Sequence, residues 1–146
     1  MASATAEKLY TPQILGLAVE LARYPLDGKM PLQGEARSQS CGSALKISLA
    51  CHPSGSVEKC GMQVAACAIG QASAAIFARH VIGTSKQTLA ASLSELQRWL
   101  DGDAGIPSWP EIETLNAARG FPARHGAILL PWRAAMQALS NAQSGR

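Results

Sequence analysis

Apolar side chains recur at helical spacing near the start of the chain. Thr11-Pro12 reads as an N-cap followed by proline at the first helical position, and Ile14, Leu17, Ala18 and Leu21 then share one face. The pattern predicts an amphipathic helix from Pro12 to about Arg23. Pro25, Asp27-Gly28 and Pro31 break the chain after it, and the polar stretch from Gly34 to Ser40 fits an edge strand. From Ser43 the period drops to two: Leu45, Ile47, Leu49 and Cys51 alternate with Ala44, Lys46, Ser48 and Ala50, as in a half-buried strand. After the turn cluster His52-Pro53-Ser54-Gly55-Ser56, Cys60, Met62 and Val64 alternate with Lys59, Gly61 and Gln63. A β-hairpin accounts for both runs. Folded back about Ser54, it sets Cys41, entering the first strand, near Cys67, leaving the second, to within the couple of residues that turn type controls.

Helical spacing returns at Ile69, Ala72, Ser73 and Ile76, which predicts a helix over Ala68 to His80 with Cys67 at its N-terminus. Thr84-Ser85-Lys86-Gln87 has capping-box spacing, and Leu89, Leu93, Leu96 and Leu100 extend one apolar stripe to a stop at Asp101-Gly102. After a loop with Pro107 and Pro110, a short helix is expected over Glu111 to Arg119, ended by Gly120. Trp132, Ala135, Met136 and Leu139 mark a last helix, with Pro131 early in it or just before it. One helix, then short antiparallel strands, then helices that must cover one sheet face predict an α+β fold in two layers.

The chain has 146 residues, enough for one core without disulfide staples, and reads as a single domain over residues 1–146. The longest nearly uninterrupted apolar run, Gly126 to Trp132, is far shorter than the ~20 residues a membrane helix needs. Met1 to Lys8 carry neither the basic nor the apolar region of a secretory signal, so no membrane association and a cytoplasmic location are expected. Thirteen basic and ten acidic side chains are scattered without a basic run, and aromatics make up 5% of the chain. Nucleic acid is not an expected partner.

All four cysteines, Cys41, Cys51, Cys60 and Cys67, fall between residues 41 and 67, with no Cys-x-x-Cys pair. Cys51 and Cys60 are in register with apolar neighbours and read as core fillers. Cys41 stands beside Gly42, and Cys67 at a helix start, where partial positive charge favours thiolates. Two thiols at one edge suit zinc, copper(I) or an iron–sulfur cluster. A further ligand would come from a carboxylate or from His52, His80 or His125. His52 belongs to the hairpin turn at the far end, and His80 closes a helix whose dipole an imidazolium complements. His125, placed before the last helix, reads as a loop histidine or a ligand. There is no Gly-rich phosphate loop, no Gly-x-Ser-x-Gly elbow and no His-Glu-x-x-His. Cys67 or Cys41 as nucleophile with His125 as base leaves the second boundary thiol unexplained, so enzymatic catalysis is not expected.

Four motifs occur in order: Leu9-Tyr10-x-Pro12-x-Ile14-Leu15; Ser40-Cys41-Gly42; Ala66-Cys67-Ala68-Ile69 leading into Ala72-Ser73-Ala74; and Gly120-Phe121-Pro122-Ala123-Arg124 with Ala127-x-Leu129-x-x-Trp132. Together, from about Leu9 to Leu139, they resemble the NifU N-terminal family of iron–sulfur cluster scaffolds, the IscU and SufU proteins. The segment between Trp99 and Gly120 is more similar to the SufU branch. The resemblance implies an α+β fold with a three-stranded antiparallel sheet and helices on one face. It also implies a site of three cysteines and one aspartate that assembles a cluster or holds zinc and takes sulfur from a cysteine desulfurase.

Carried over by position, Cys41 and Cys67 are the first two family cysteines. The family aspartate is replaced by Ser43, and its third cysteine by Ala127. The resemblance thus implies a divergent scaffold or carrier of an iron–sulfur cluster or zinc, with metal ligands Cys41 and Cys67 and with His125 or a second protomer completing the set. The alternatives are a persulfide acceptor using Cys67 or Cys41, and a metal-free adaptor. The partners implied are a cysteine desulfurase and iron–sulfur assembly or acceptor proteins.

Overall fold

The computed structural model describes residues 9–39, 42–103 and 105–144. Helix α1 (Pro12–Glu20) starts where Thr11 Oγ1 accepts from the Ile14 N–H at 3.2 Å, buries Ile14 and Leu17, and tightens into a 3₁₀ turn over Leu21–Arg23. Strands β1 (Leu32–Arg37), β2 (Ala44–Cys51) and β3 (Val57–Ala65) form one antiparallel sheet in the order β1-β2-β3. The polar edge strand is therefore present, but it begins at Leu32 and ends at Arg37.

The β2–β3 register runs from Ala44 opposite Ala65 to Ala50 opposite Lys59, then slips so that Cys51 faces Val57. An extra β3 residue near the hairpin turn absorbs the slip as a bulge.

Leu45, Ile47 and Leu49 point from β2 into the helix layer, each 1% exposed or less. Helices α2 (Ala68–His80), α3 (Lys86–Leu100) and α4 (Pro122–Ser144) supply that layer, and α4 lies directly on β1 and β2. This close approach requires Gly34: a Cβ there would collide with the Ala134 carbonyl and stand 2.7 Å from the Ala138 nitrogen. The opposite sheet face is partly covered by the loop after α1. Pro25 bridges to Met62, the Tyr24 carbonyl accepts from the Met62 N–H at 2.8 Å, and the Ser48 hydroxyl accepts from the Asp27 N–H at 3.0 Å.

Two elements differ from expectation. Helix α4 starts at Pro122 and carries Pro131 inside it, so His125 lies within its first turns. Pro131 has no N–H for the Ala127 carbonyl four residues back. The Ser73 hydroxyl donates to the neighbouring Ile128 carbonyl at 2.7 Å, giving that strained turn a partner from α2. The segment before α4 is a 3₁₀ helix over Ile112–Gly120, not an α-helix. Trp109 holds it to the core, stacked on Phe77 at 5.5 Å, edge-on to Trp132 at 5.2 Å, and donating Nε1–H to the Ile76 carbonyl at 3.2 Å. Among the described residues, no helix is long and apolar enough to cross a membrane.

Candidate functional site

Antiparallel pairing of Ala44 with Ala65 places the β1–β2 turn and the β3–α2 junction at the same end of the sheet. The turn is closed by the Ser38 N–H on the Ser43 carbonyl at 2.8 Å and the Gly42 N–H on the Ser38 carbonyl at 3.0 Å. Gly42 takes φ +71, a left-handed conformation that glycine adopts without steric cost. Ser43, at the family's aspartate position, is 5% exposed. Cys41, and with it the expected approach of Cys41 to Cys67, lies outside the described residues.

At the junction, Cys67 is the N-cap of α2, with extended backbone (φ −66, ψ 171) and no hydrogen bond from its side chain to the helix. The residue is half-buried. The first turn of α2 meets the second turn of α4 beside it: a Cβ on Gly70 would lie 2.7 Å from the Ala66 Cβ and 3.2 Å from the Ala127 Cβ. Ala127, for which the resemblance implies a cysteine in the family, is therefore fully buried against the helix that Cys67 begins. The positive end of the α2 dipole lies at Cys67. Arg124, one turn earlier on α4, reaches the Tyr10 hydroxyl with Nη2 at 3.5 Å.

His125 is directed elsewhere. Its Nε2 lies 2.9 Å from the Arg119 carbonyl, and its ring lines a groove with Gln97, Leu100, Asp101, Leu129 and Arg133. Residues two apart on a helix point roughly 200° from one another, so His125 and Ala127 look to different sides of α4. His52 lies at the hairpin end, 3.6 Å from Glu58, and His80 Nε2 lies 2.6 Å from Glu111 Oε2.

Cys51 and Cys60 are half-buried on the helix side of the hairpin. Burial pushes the Cys60 thiol up to about 12 and raises the Cys51 thiol as well, which keeps both protonated at neutral pH. Among the described residues, no three of His, Cys, Asp and Glu come together to hold a metal ion. Cys67 alone therefore does not make a metal site, and a tetrahedral centre needs four donors. Sequence reasoning found Cys67 and its helix start, but missed Gly70 and Gln71. Gly70, within a run of small residues after Cys67, was the available signal for close helix contact.

No family model matches the chain, and no curated protein matches it by sequence. Solved structures do. The N-terminal part of a nitrogen-fixing NifU-like protein from Brucella abortus superposes with a TM-score of 0.84 at 26% identity, over 97% of this chain and 99% of that one. A proposed iron–sulfur cluster assembly scaffold protein for the SUF system, from Fervidobacterium islandicum, matches with a TM-score of 0.79 at 20% identity, over 90% of this chain and 96% of that one. A hypothetical protein matches with a TM-score of 0.64 at 19% identity, over 87% and 96%. The α+β fold and the three-stranded antiparallel sheet agree with this likeness, and the chain is similar, across nearly its whole length, to the NifU N-terminal proteins.

Proposed function

We propose that the chain is a divergent iron–sulfur cluster assembly scaffold or carrier that holds its cargo at the open end of the sheet, with Cys67 and Cys41 as the protein ligands. The observation that carries this reading is the placement of Cys67, a half-buried residue at the N-cap of α2 whose side chain makes no capping bond, beside the contact of Gly70 with Ala127 of α4. The fold around it matches a NifU-like protein over 97% of the chain. The N-terminus of α2 favours the net negative charge of a thiolate-ligated cluster bound there. With serine and alanine at positions 43 and 127, two protein thiolates supply half the donors of a tetrahedral metal. The remaining donors come from the cluster's own sulfide, from a small thiol or from a partner protein. A cysteine desulfurase is the partner class that supplies the sulfur.

The burial of Ala127 favours a second reading, a metal-free adaptor that docks on the desulfurase and keeps only the shape of the scaffold. One experiment separates the two. The full chain is reconstituted anaerobically with ferrous iron, sulfide and a thiol, desalted and analysed for metal and acid-labile sulfide, alongside Cys41→Ser and Cys67→Ser. Retained iron that both substitutions abolish supports the scaffold or carrier. No retained iron in the unsubstituted chain, with desulfurase binding intact, favours the adaptor.

A further inference from the structure

We infer that Gln71 is a positioning residue that clamps the backbone on both sides of Cys67. Its side-chain Nε2–H donates to the Ala66 carbonyl at 2.9 Å, and its own backbone N–H donates to the Cys67 carbonyl at 2.9 Å. The Ala66 carbonyl belongs to the peptide unit just before the Cys67 Cα, and the Cys67 carbonyl to the unit just after it. One residue thus fixes both planes that meet at that carbon. With φ and ψ held, the Cα–Cβ direction is held, and χ1 is the freedom left to the thiol.

The backbone bond is an ordinary feature of a helix start; the side-chain bond is not. A helix N-terminus leaves N–H groups without partners, yet Gln71 uses its amide to reach backwards past the N-cap to a carbonyl outside the helix. That choice does nothing for the unpaired helix donors, and it fixes the entry of the chain into Cys67. The Cys67 side chain, in turn, makes no capping bond that would tie it to the helix. Gln71 is itself half-buried, so the bond is partly shielded from competing water. The consequence for cargo rests on the reading of Cys67 as a ligand: a thiolate aimed in one direction loses less orientational freedom when it binds.

The test uses Gln71→Met, which keeps the length and apolar stem but removes the donor. A second variant, Gln71→Glu, loses the donor on ionisation while placing a negative charge where a helix N-terminus favours it. Backbone ¹⁵N relaxation of the intact chain reads the clamp directly. In the unsubstituted chain the Cys67 N–H should be as rigid as the middle of α2, with an order parameter of about 0.85. In both variants it should fall to about 0.7 or below, while Ala72 to Ala78 keep their values. Iron retained after reconstitution should fall by roughly tenfold in both, equivalent to about 1.4 kcal/mol. A Cys67 N–H that stays as ordered as Ala72 in the variants would overturn the proposal, as would retained iron unchanged while that order is lost. Glutamate rescuing both readouts would reduce Gln71 to a helix-stabilising role and likewise overturn it. If the unsubstituted chain takes up no iron, the scaffold reading fails, and the relaxation measurement still decides the clamp.

Discussion

Gly70 and Ala127 stand so close that a methyl group on Gly70 would reach within 3.2 Å of the Ala127 Cβ, and within 2.7 Å of the Ala66 Cβ. The contact joins the helix that begins at Cys67 to the helix that carries the family's third cysteine position. Gly70→Ala should gain about 1 kcal/mol of helix propensity and lose about 1–3 kcal/mol to overpacking. The expected result is a net loss of roughly 1 kcal/mol, read as a lower urea midpoint with an unchanged slope.

The same contact bears on restoring the missing ligands. Ala127→Cys with Ser43→Asp adds a sulfur at a fully buried position and a carboxylate at one 5% exposed. Without metal the pair should cost about 2 kcal/mol or more, through crowding at Ala127 and burial of a carboxylate at position 43. Zinc should return stability, because a ligand that binds only the folded state at 100 times its Kd contributes about 2.7 kcal/mol. A zinc-dependent rise in melting temperature larger than that of the unsubstituted chain is the expected outcome. No larger rise would mean that the backbone no longer presents these two positions to Cys67.

Much of this was legible in the amino-acid pattern, and what was not has identifiable causes. The boundaries of α2 and α3 follow from strong periodicity, whereas the cap of α3 is Ser85, whose side chain accepts from the Thr88 N–H, one residue after the Thr84 that the capping-box spacing implies. The hairpin is readable from alternation, whereas the bulge between Ala50 and Cys51 shows in the sequence only as two successive polar residues, Glu58-Lys59, between buried Val57 and half-buried Cys60. Helix α4 is longer than the apolar pattern predicts. Pro131 looks like a boundary in sequence, whereas in space the Ser73 hydroxyl supports the carbonyls that the proline disturbs. Cys67 could be found from its place before a helix. Its clamp could not, since a side-chain bond from Gln71 to the Ala66 carbonyl has no periodic signature.

The three described cysteines should differ sharply in reactivity. Cys60, pushed up to about 12 by burial, and Cys51, raised by the same cause, hold few thiolates at pH 8. Iodoacetamide with mass mapping should modify Cys67 first and Cys60 last, and fastest labelling at Cys60 or Cys51 would contradict the assignment. Cys60 also ties stability to alkaline pH. A thiol whose folded value lies above its unfolded value of about 9 leaves stability intact below pH 9. Above it the unfolded chain loses the proton first, so stability falls as pH rises towards 12, with a slope of up to about 1.4 kcal/mol per pH unit. Cys60→Ala should flatten that limb in urea titrations.

Arg79 joins three elements, donating from Nε and Nη2 to the two Glu20 oxygens at 2.6 and 2.7 Å and from Nη1 to Glu111. Glu111 adopts φ +67 at the start of the 3₁₀ segment and also meets His80. The hydrogen bond from Arg79 holds the Glu20 carboxyl below the usual carboxylate range. Stability from this pair is thus present above the ordinary glutamate value and lost as pH falls through the lowered one. Arg79→Met should cost about 1 kcal/mol at pH 7, given the partial exposure of the network. It should also weaken the acid dependence of the urea midpoint between pH 5 and 3. Arg79→Lys should recover only part of the loss, since a lysine cannot bind both Glu20 oxygens as a planar fork.

His125 decides whether any imidazole serves the cargo end. Its Nε2 is 2.9 Å from the Arg119 carbonyl, and its ring faces Leu100, Asp101 and Arg133, while Ala127 on the other side of α4 faces Gly70 and the start of α2. To ligate a metal beside Cys67, the ring would have to leave the Arg119 carbonyl and swing round the helix. Arg119 is itself fastened, stacked 4.9 Å over Trp99 and donating to the carbonyls of Trp99 and Asp103. The expected outcome is that His125→Ala leaves reconstituted iron within about twofold of the unsubstituted chain, while Cys67→Ser abolishes it. The histidine variant should instead lose about 1 kcal/mol of stability with the bond to Arg119. The pH dependence of metal retention should then be the same in His125→Ala as in the unsubstituted chain, since only thiolates titrate at the site. Iron abolished in His125→Ala as completely as in Cys67→Ser, together with release below about pH 6, would place the imidazole on the metal.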